Sequence, residues 1–250
     1  MSTTVQHAIQ APDVLQFTPE TPLVYTIEVF SQTELLKQPF LSELQEVINE
    51  SYRDPGGAAF EKTSPRLKSE TQLANELQET GFTAIAFDGN AIIGSASLKI
   101  WAPYSEGPVW KLPGHFDQFR SEEIISPSTA LLESISDEAQ STVCEGTFEL
   151  AAVGIKPNPR YRRKGIAEIL VRECEQEAKR RTGLPQLRIT LKVVRDVAGD
   201  YWLKKGFRVI GEQYCPPLTW DYKTGFVLWA MEREISTFQQ SYIQAVPICK

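Results

Sequence analysis

Histidine is almost missing from this chain: of 250 residues only two are His, His7 in a polar N-terminal stretch and His115 among prolines and glycines. A histidine-built metal centre or a Ser–His–Asp triad therefore has almost no raw material, and no metal is expected. The four cysteines, Cys144, Cys174, Cys215 and Cys249, form no CxxC pair, so neither a zinc cage nor a disulfide framework is indicated and reduced, structural thiols are expected. No run approaches the roughly 20 apolar residues that span a bilayer. The opening MSTTVQHAIQ lacks a basic segment followed by an apolar one. A cytoplasmic protein without a membrane partner is the expectation, the nucleus not being excluded.

Hydrophobic residues make up 42% of the chain and charged residues 23%, ordinary values for a folded soluble protein, which argue against wholesale disorder. The net charge of −6 hides an asymmetry. Residues 156–208 hold 15 Lys/Arg against 6 Asp/Glu, a local +9, which leaves −15 on the remainder. A basic stretch within an acidic chain suggests a local polyanion site, whereas nucleic-acid binding usually goes with a basic domain, so no nucleic-acid partner is expected. A solvated helix face accounts for Lys179, Arg180 and Arg181, but less well for Arg162-Arg163-Lys164.

The chain reads as one domain over residues 23–235, with a polar lead-in at 1–22 and a tail at 236–250. A first strand is expected from Val24 to Phe30, then helices from Ser42 to Tyr52 and from Ser69 to Gly81, separated by Asp54-Pro55-Gly56-Gly57. Apolar, β-branched runs at Phe82–Phe87 and Ala91–Trp101 flank Asp88-Gly89-Asn90, a hairpin signal. Residues 102–146 have no steady period, carry Pro103, Pro108, Pro113 and Pro127, and hold acidic patches at 122–123 and 137–138; an irregular stretch of this length is usually functional or mobile. Thr147–Ile155 reads as a central strand covered on both faces, Ile166–Arg181 as an amphipathic helix stopped by Gly183, and Leu187–Val193 as a strand with one core face. A short helix at Ala198–Lys205 and strands at Phe207–Ile210 and Phe226–Met231 close the pattern.

Between the central strand and its helix stands Arg162-Arg163-Lys164-Gly165-Ile166-Ala167. A helix N-terminus offers unpaired N–H groups and partial positive charge to an anion, and small residues at Gly165 and Ala167 let those groups approach a pyrophosphate. With LAAVGI upstream, the amphipathic helix downstream and YWLKKGFRVIG beyond it, the segment resembles the acyl-CoA-binding signature of the GNAT N-acetyltransferase superfamily.

The resemblance implies an α/β (α+β) GNAT fold, with a mixed, mostly antiparallel, twisted sheet of six to seven strands flanked by helices and a long insertion (102–146) between the third and fourth strands. It also implies acetyl-CoA as acyl donor. Val153, Gly154 and Ile155 would offer backbone groups to the pantetheine arm, and Arg162, Arg163, Lys164, Gly165, Ile166 and Ala167 would hold the pyrophosphate. Arg160, Arg195 and Trp202 are further candidates for cofactor contact. The loop 156–160 is about two residues longer than the commonest family version, and Arg195 replaces a frequent asparagine.

Direct acyl transfer needs no nucleophilic side chain, but it needs a proton acceptor for the amine and donors for the developing oxyanion. Glu149 is the candidate base, and its six-residue separation from Ile155 predicts both side chains on one face; a strand-edge glutamate paired with an arginine is the alternative. Relatives place a tyrosine where this chain has Trp202, whose indole is no practical acid, so that role passes to the neighbouring Tyr201 or to water. The acceptor is expected to be a small-molecule primary amine. A peptide or protein-lysine acceptor, or a non-catalytic acyl-CoA-binding module, are the other readings; a homodimer is left open.

Overall fold

Apolar runs on either side of Asp88-Gly89-Asn90 make the hairpin at the heart of the sheet. In the computed structural model, which describes residues 23–53, 64–101, 110–118 and 146–236, β2 (Phe82–Asp88) and β3 (Ala91–Ile100) pair antiparallel across Gly89, whose φ is +62°. The outer edge of β2 takes β1 (Thr26–Ser31), and the far side of β3 takes β4 (Thr147–Ile155), both antiparallel. Next to β4, and parallel to it, lies β5 (Gln186–Val194). The long β7 (Phe226–Ser236) and the edge strand β6 (Arg208–Cys215) complete a seven-stranded sheet in the order β1-β2-β3-β4-β5-β7-β6. The mixed, mostly antiparallel sheet expected from the sequence is thus present, with a single parallel pair.

Helices cover both faces. One face carries α1 (Gln32–Leu35), α2 (Leu41–Ser51) and α3 (Gln72–Leu77); the other carries α4 (Ile166–Thr182). This explains why β2 reads as an unbroken apolar run. Phe82, Ala84 and Ala86 pack with Leu170, Cys174 and Ala178 of α4, while Ile85 and Phe87 pack with Leu44, Ile48 and Leu73 on the opposite side. Each large aliphatic side chain so buried contributes roughly 1.5–3 kcal/mol.

Local signals set the helix ends. Ser31 and Glu34 form a capping box at α1, with Ser31 N–H donating to the Glu34 carboxylate at 2.8 Å and Glu34 N–H donating to Ser31 Oγ at 3.4 Å. At the end of α4, Gly183 takes φ +65° and its N–H donates to Lys179 O at 2.9 Å.

Several elements differ from the sequence reading. The helix expected from Ser69 to Gly81 is confined to Gln72–Leu77, because Gln78 turns to φ +55° and ends it. The expected Ala198–Lys205 helix is a π turn over Arg195–Gly199 followed by the short α5 (Asp200–Lys204). Both closing strands are longer than expected, since β6 and β7 pair from Arg208–Glu232 to Cys215–Phe226. Within the insertion, Lys111 bridges Glu212 on the β6 edge, with N–H···O distances of 2.7 and 3.0 Å, and Phe116 is buried against Val227. The acidic patches at 122–123 and 137–138, together with residues 1–22 and 237–250, lie outside the described residues.

Candidate active site

β4 and β5 are partners for only three residues. Thr147 pairs with Arg188, Phe148 with Ile189 and Glu149 with Thr190, after which β4 continues along β3 alone. A bulge drives the divergence: Ala151 to Gly154 stand opposite Ser97 to Ser95, one extra residue on β4, and Ala152 sits at φ +49°. The Ser95 hydroxyl donates to the Ala152 carbonyl at 3.2 Å and fixes the bulge from the β3 side. On the other side Gly154 meets α2 so closely that a Cβ there would lie 2.1 Å from Ser51 Oγ, which only glycine avoids.

The extra residue reverses the facing of everything after it. Phe148 and Leu150 belong to the core under α4, as do Val153 and Ile155, whereas Ala152 belongs to the core under α1–α3. Glu149 and Ile155 therefore point to opposite faces, contrary to the six-residue spacing argument, which assumed a regular strand.

The divergence opens a cavity of about 870 Å³. Tyr52, Arg66 and Glu76 line it from the α1–α3 face, Ala198 and Trp202 from the α4 face, and β4 residues 150–153 and β5 residues 191–194 form its walls. A cavity lined from both faces of a sheet is possible only where two neighbouring strands have parted.

A charged cluster, Lys99, Glu149 and Lys192, lines part of it. Glu149, 9% exposed, has Lys99 Nζ 3.7 Å from Oε2 and Lys192 Nζ 3.3 Å from Oε1. Lys99 is the direct cross-strand partner of Glu149, and Lys192 shares a strand face with Thr190, the residue opposite Glu149 on β5. Burial raises the Glu149 carboxyl above 4.5, and Lys99 opposes that rise. Burial, then the charge of Lys99, pushes the Lys192 ammonium from 10.5 down to about 7, with the Glu149 carboxylate at 3.3 Å pulling the other way. The two groups are thus an acid and a base brought toward each other in strength. Trp101 lies under Lys192, its ring centroid 5.4 Å from Nζ. Nearby, Arg66 and Glu76 form a bidentate pair at 2.9 and 2.8 Å, which Gln72 joins at 2.8 Å. Tyr52 and Tyr222 stand on the same side; burial raises both phenols, that of Tyr222 to about 12, and Val153 N–H bonds to the Tyr52 oxygen.

Beyond the end of β4 the chain enters the basic turn. Gly165 is the N-cap of α4 at φ +76°, with Arg163 at φ +60° before it, and no side chain caps the helix. Its first-turn N–H groups therefore face outward past a residue that has open space where a Cβ would be. Arg162, Arg163 and Lys164 are exposed around it, while Ile166 is buried and Ala167 half-buried.

Residues 129–207 match the family model for the acetyltransferase (GNAT) family. Among solved structures, the fold is similar to ribosomal-protein-alanine N-acetyltransferase from Brucella melitensis (TM-score 0.51, 16% identity, 84% of this chain and 99% of that one). It is also similar to ribosomal-protein-S18-alanine N-acetyltransferase from Escherichia coli (TM-score 0.50, 14% identity, 87% and 98%). The chain carries the GNAT fold. YncA from Salmonella typhimurium, solved with its cofactor acetyl-CoA, gives TM-score 0.48 at 15% identity over 90% of this chain and 99% of that one. A search of curated proteins finds no matching sequence.

Against the GNAT pattern, the remaining candidates separate. Trp202, 8% exposed, lines the cavity and packs edge-on against Phe207 with centroids 5.3 Å apart. Tyr201 is 39% exposed and is not among the cavity-lining residues; its ring lies 5.6 Å from Lys205 Nζ, and burial raises its phenol. Arg195 is held by Asp196 at 2.9 Å and Asp117 at 3.8 Å, which ties the π turn to the 115–118 segment. Arg160 pairs with Asp88 at 3.2 Å, and Asp88 also accepts from the Tyr161 hydroxyl at 3.0 Å, so the long 156–160 loop is anchored to the β2–β3 hairpin.

Sequence reading missed Lys99, Lys192, Arg66, Glu76, Tyr52 and Tyr222. Lys192 could have been found from strand alternation, since it is a charged residue between the core residues Leu191 and Val193, and Lys99 less readily, since it follows the core residue Leu98 but precedes the exposed Ile100; the others sit on loops and helix ends with no such signal. Among the described residues no group of His, Cys, Asp and Glu could hold a metal, and no helix is long and apolar enough to cross a membrane.

Proposed function

We propose that the chain transfers an acetyl group from acetyl-CoA directly to the primary amine of a small molecule. The observation that carries this reading is a buried carboxylate, Glu149, in a cavity lined from both faces of a GNAT-fold sheet.

The residues present fit the donor. An α4 N-terminus without a side-chain cap, an open glycine at its mouth and three exposed basic residues suit a pyrophosphate. The parted walls of β4 and β5 suit a narrow arm that bonds with backbone. Acetyl-CoA supplies an activated thioester carbonyl. The chain's own work is then to hold the phosphates at 162–167, align the arm along β4, and remove a proton from the amine. Glu149 fits the last task because burial makes it a stronger base than a solvent-exposed carboxylate. Lys99 favours its ionised form, and the contacts to Lys99 and Lys192 orient it. The acceptor reaches Glu149 from the α1–α3 face, past Tyr52, Arg66 and Tyr222.

Titration calorimetry with acetyl-CoA and its dephospho analogue, followed by free-thiol release with a panel of amines, tests the reading. Saturable binding with thiol release on small amines is expected. Release only with peptides would shift the acceptor class. Binding without release on any amine or peptide would favour an acyl-CoA-binding module.

A further inference from the structure

An amine already stands where the acceptor's amine is needed. Lys192 projects from β5 into the cavity, its Nζ 3.3 Å from the carboxylate to which an incoming amine must deliver its proton. We propose that Lys192 is itself an acyl acceptor, and that the protein acetylates this lysine from bound acetyl-CoA when no external amine fills the cavity. The inference rests on the acyl-transfer reading given above.

Three features of the site support it. Lys192 lies one alternate residue beyond Thr190, the last point at which β5 is joined to β4, so it stands at the inner end of the parted strands. The residues on either side of it in the chain, Leu191 and Val193, turn into the α4-side core, which aims Lys192 at the opposite face together with Glu149. The Trp101 ring below Nζ limits where the side chain can swing. Nucleophilic attack also needs the free amine, and burial together with Lys99 shifts Lys192 toward that form near neutral pH.

The chemistry balances with the thioester as the only co-reactant. Glu149 takes a proton from the Lys192 ammonium and passes it to solvent, the free Nζ attacks the acetyl carbonyl carbon, Glu149 takes the second N–H proton from the adduct as the carbon–sulfur bond breaks, and the thiolate leaves with that proton. The products are Nε-acetyl-lysine and coenzyme A. The amide carries no charge, so Glu149 keeps only Lys99 as a partner, and the added acetyl group occupies the acceptor's end of the cavity. Self-acetylation would therefore lower transfer to other amines.

The test is mass spectrometry of the full-length protein incubated with acetyl-CoA alone, with peptide mapping over time. The expected result is gain of one acetyl group at Lys192, saturable in acetyl-CoA and faster than at the exposed Lys37 and Lys204. Glu149→Gln should slow the mark by about 100-fold, the size of a general-base contribution. A Lys192 that gains no acetyl, or gains it no faster than the same lysine in heat-unfolded protein, overturns the proposal. Because the wild-type map reads Lys192 directly, a misfolded Lys192→Arg variant would not obscure the answer. Calorimetry and amine turnover on the same sample separate the two readings. Binding and turnover without the mark sink this inference alone, whereas absence of acetyl-CoA binding sinks both.

Discussion

Glu149 Oε1 and Lys192 Nζ lie 3.3 Å apart across the point where β4 and β5 part. Glu149 is the last β4 residue paired with β5, through Thr190, and Lys192 lies two residues on along the same face, so the two meet as diagonal neighbours where the ladder ends and the cavity begins. The bulge at Ala152 is what turns two strand residues into a site.

The first consequence concerns rate and pH. Glu149→Gln is expected to lower kcat/KM for an amine by about 100-fold or more while leaving the Kd for acetyl-CoA within about twofold. Since burial raises the Glu149 carboxyl, the base form is gained at a higher pH than for an ordinary glutamate, so the acid limb of the wild-type profile should lie above 4.5 and vanish in the variant. A limb at the ordinary value would argue that Glu149 does not act as the base.

Lys192 should also leave a signature in stability. Its folded-state pKa is depressed from 10.5 to about 7, so between those values the unfolded chain binds a proton that the folded chain does not. Stability therefore rises with pH through that window, and below it the penalty for burying the ammonium is fully present. Chemical denaturation from pH 7 to 10 should show that rise in the wild type and a flatter curve in Lys192→Met. Equal slopes would mean that Lys192 keeps its charge throughout.

At the basic turn, Gly165→Ala and Gly165→Glu distinguish strain from charge. With φ at +76°, any side chain costs roughly 1 kcal/mol, although among the described residues nothing beyond its chain neighbours and its own helix backbone lies within 4 Å of the new Cβ. The alanine variant is expected to weaken acetyl-CoA binding about fivefold, and the glutamate variant to abolish it, as measured by calorimetry on samples with unchanged circular dichroism. Full affinity in the glutamate variant would remove the phosphates from this turn.

Asp88 offers a subtler prediction. It anchors both Arg160 and Tyr161, so Asp88→Asn should release the loop leading into the basic turn. A severalfold rise in KM for acetyl-CoA at nearly constant kcat is expected from steady-state kinetics. A change in kcat alone would place Asp88 in some other role.

How far the sequence reveals all this depends on what each residue's neighbours are. β4 is legible to the residue, because an apolar run covered on both faces has few alternative readings, and α4 is legible within one residue because Gly165 and Gly183 bracket it. The hairpin at Gly89 follows from its turn residues. The bulge is not legible, since Ala152 is no glycine and nothing in LAAVGI marks the extra residue; it comes from Gly154 being pressed against Ser51 and from Ser95 holding the Ala152 carbonyl. Lys192 falls on the polar side of an alternating strand, but that side is solvent only where no other element covers it. Tyr201 and Trp202 show the same limit: adjacent aromatic residues on one short helix go to opposite environments, and only the packing of Trp202 on Phe207 decides which one faces the cavity.

A cavity lined from both faces of the sheet can be served by two doors. On the proposed reading the donor enters past Trp202 and the acceptor past Tyr52, and neither has to leave before the other arrives. Such a layout favours a three-body encounter with no obligatory sequence of arrival, in which double-reciprocal plots at several donor concentrations intersect and do not run parallel. It also means that an inhibitor could join the two doors with a single molecule threaded through the protein.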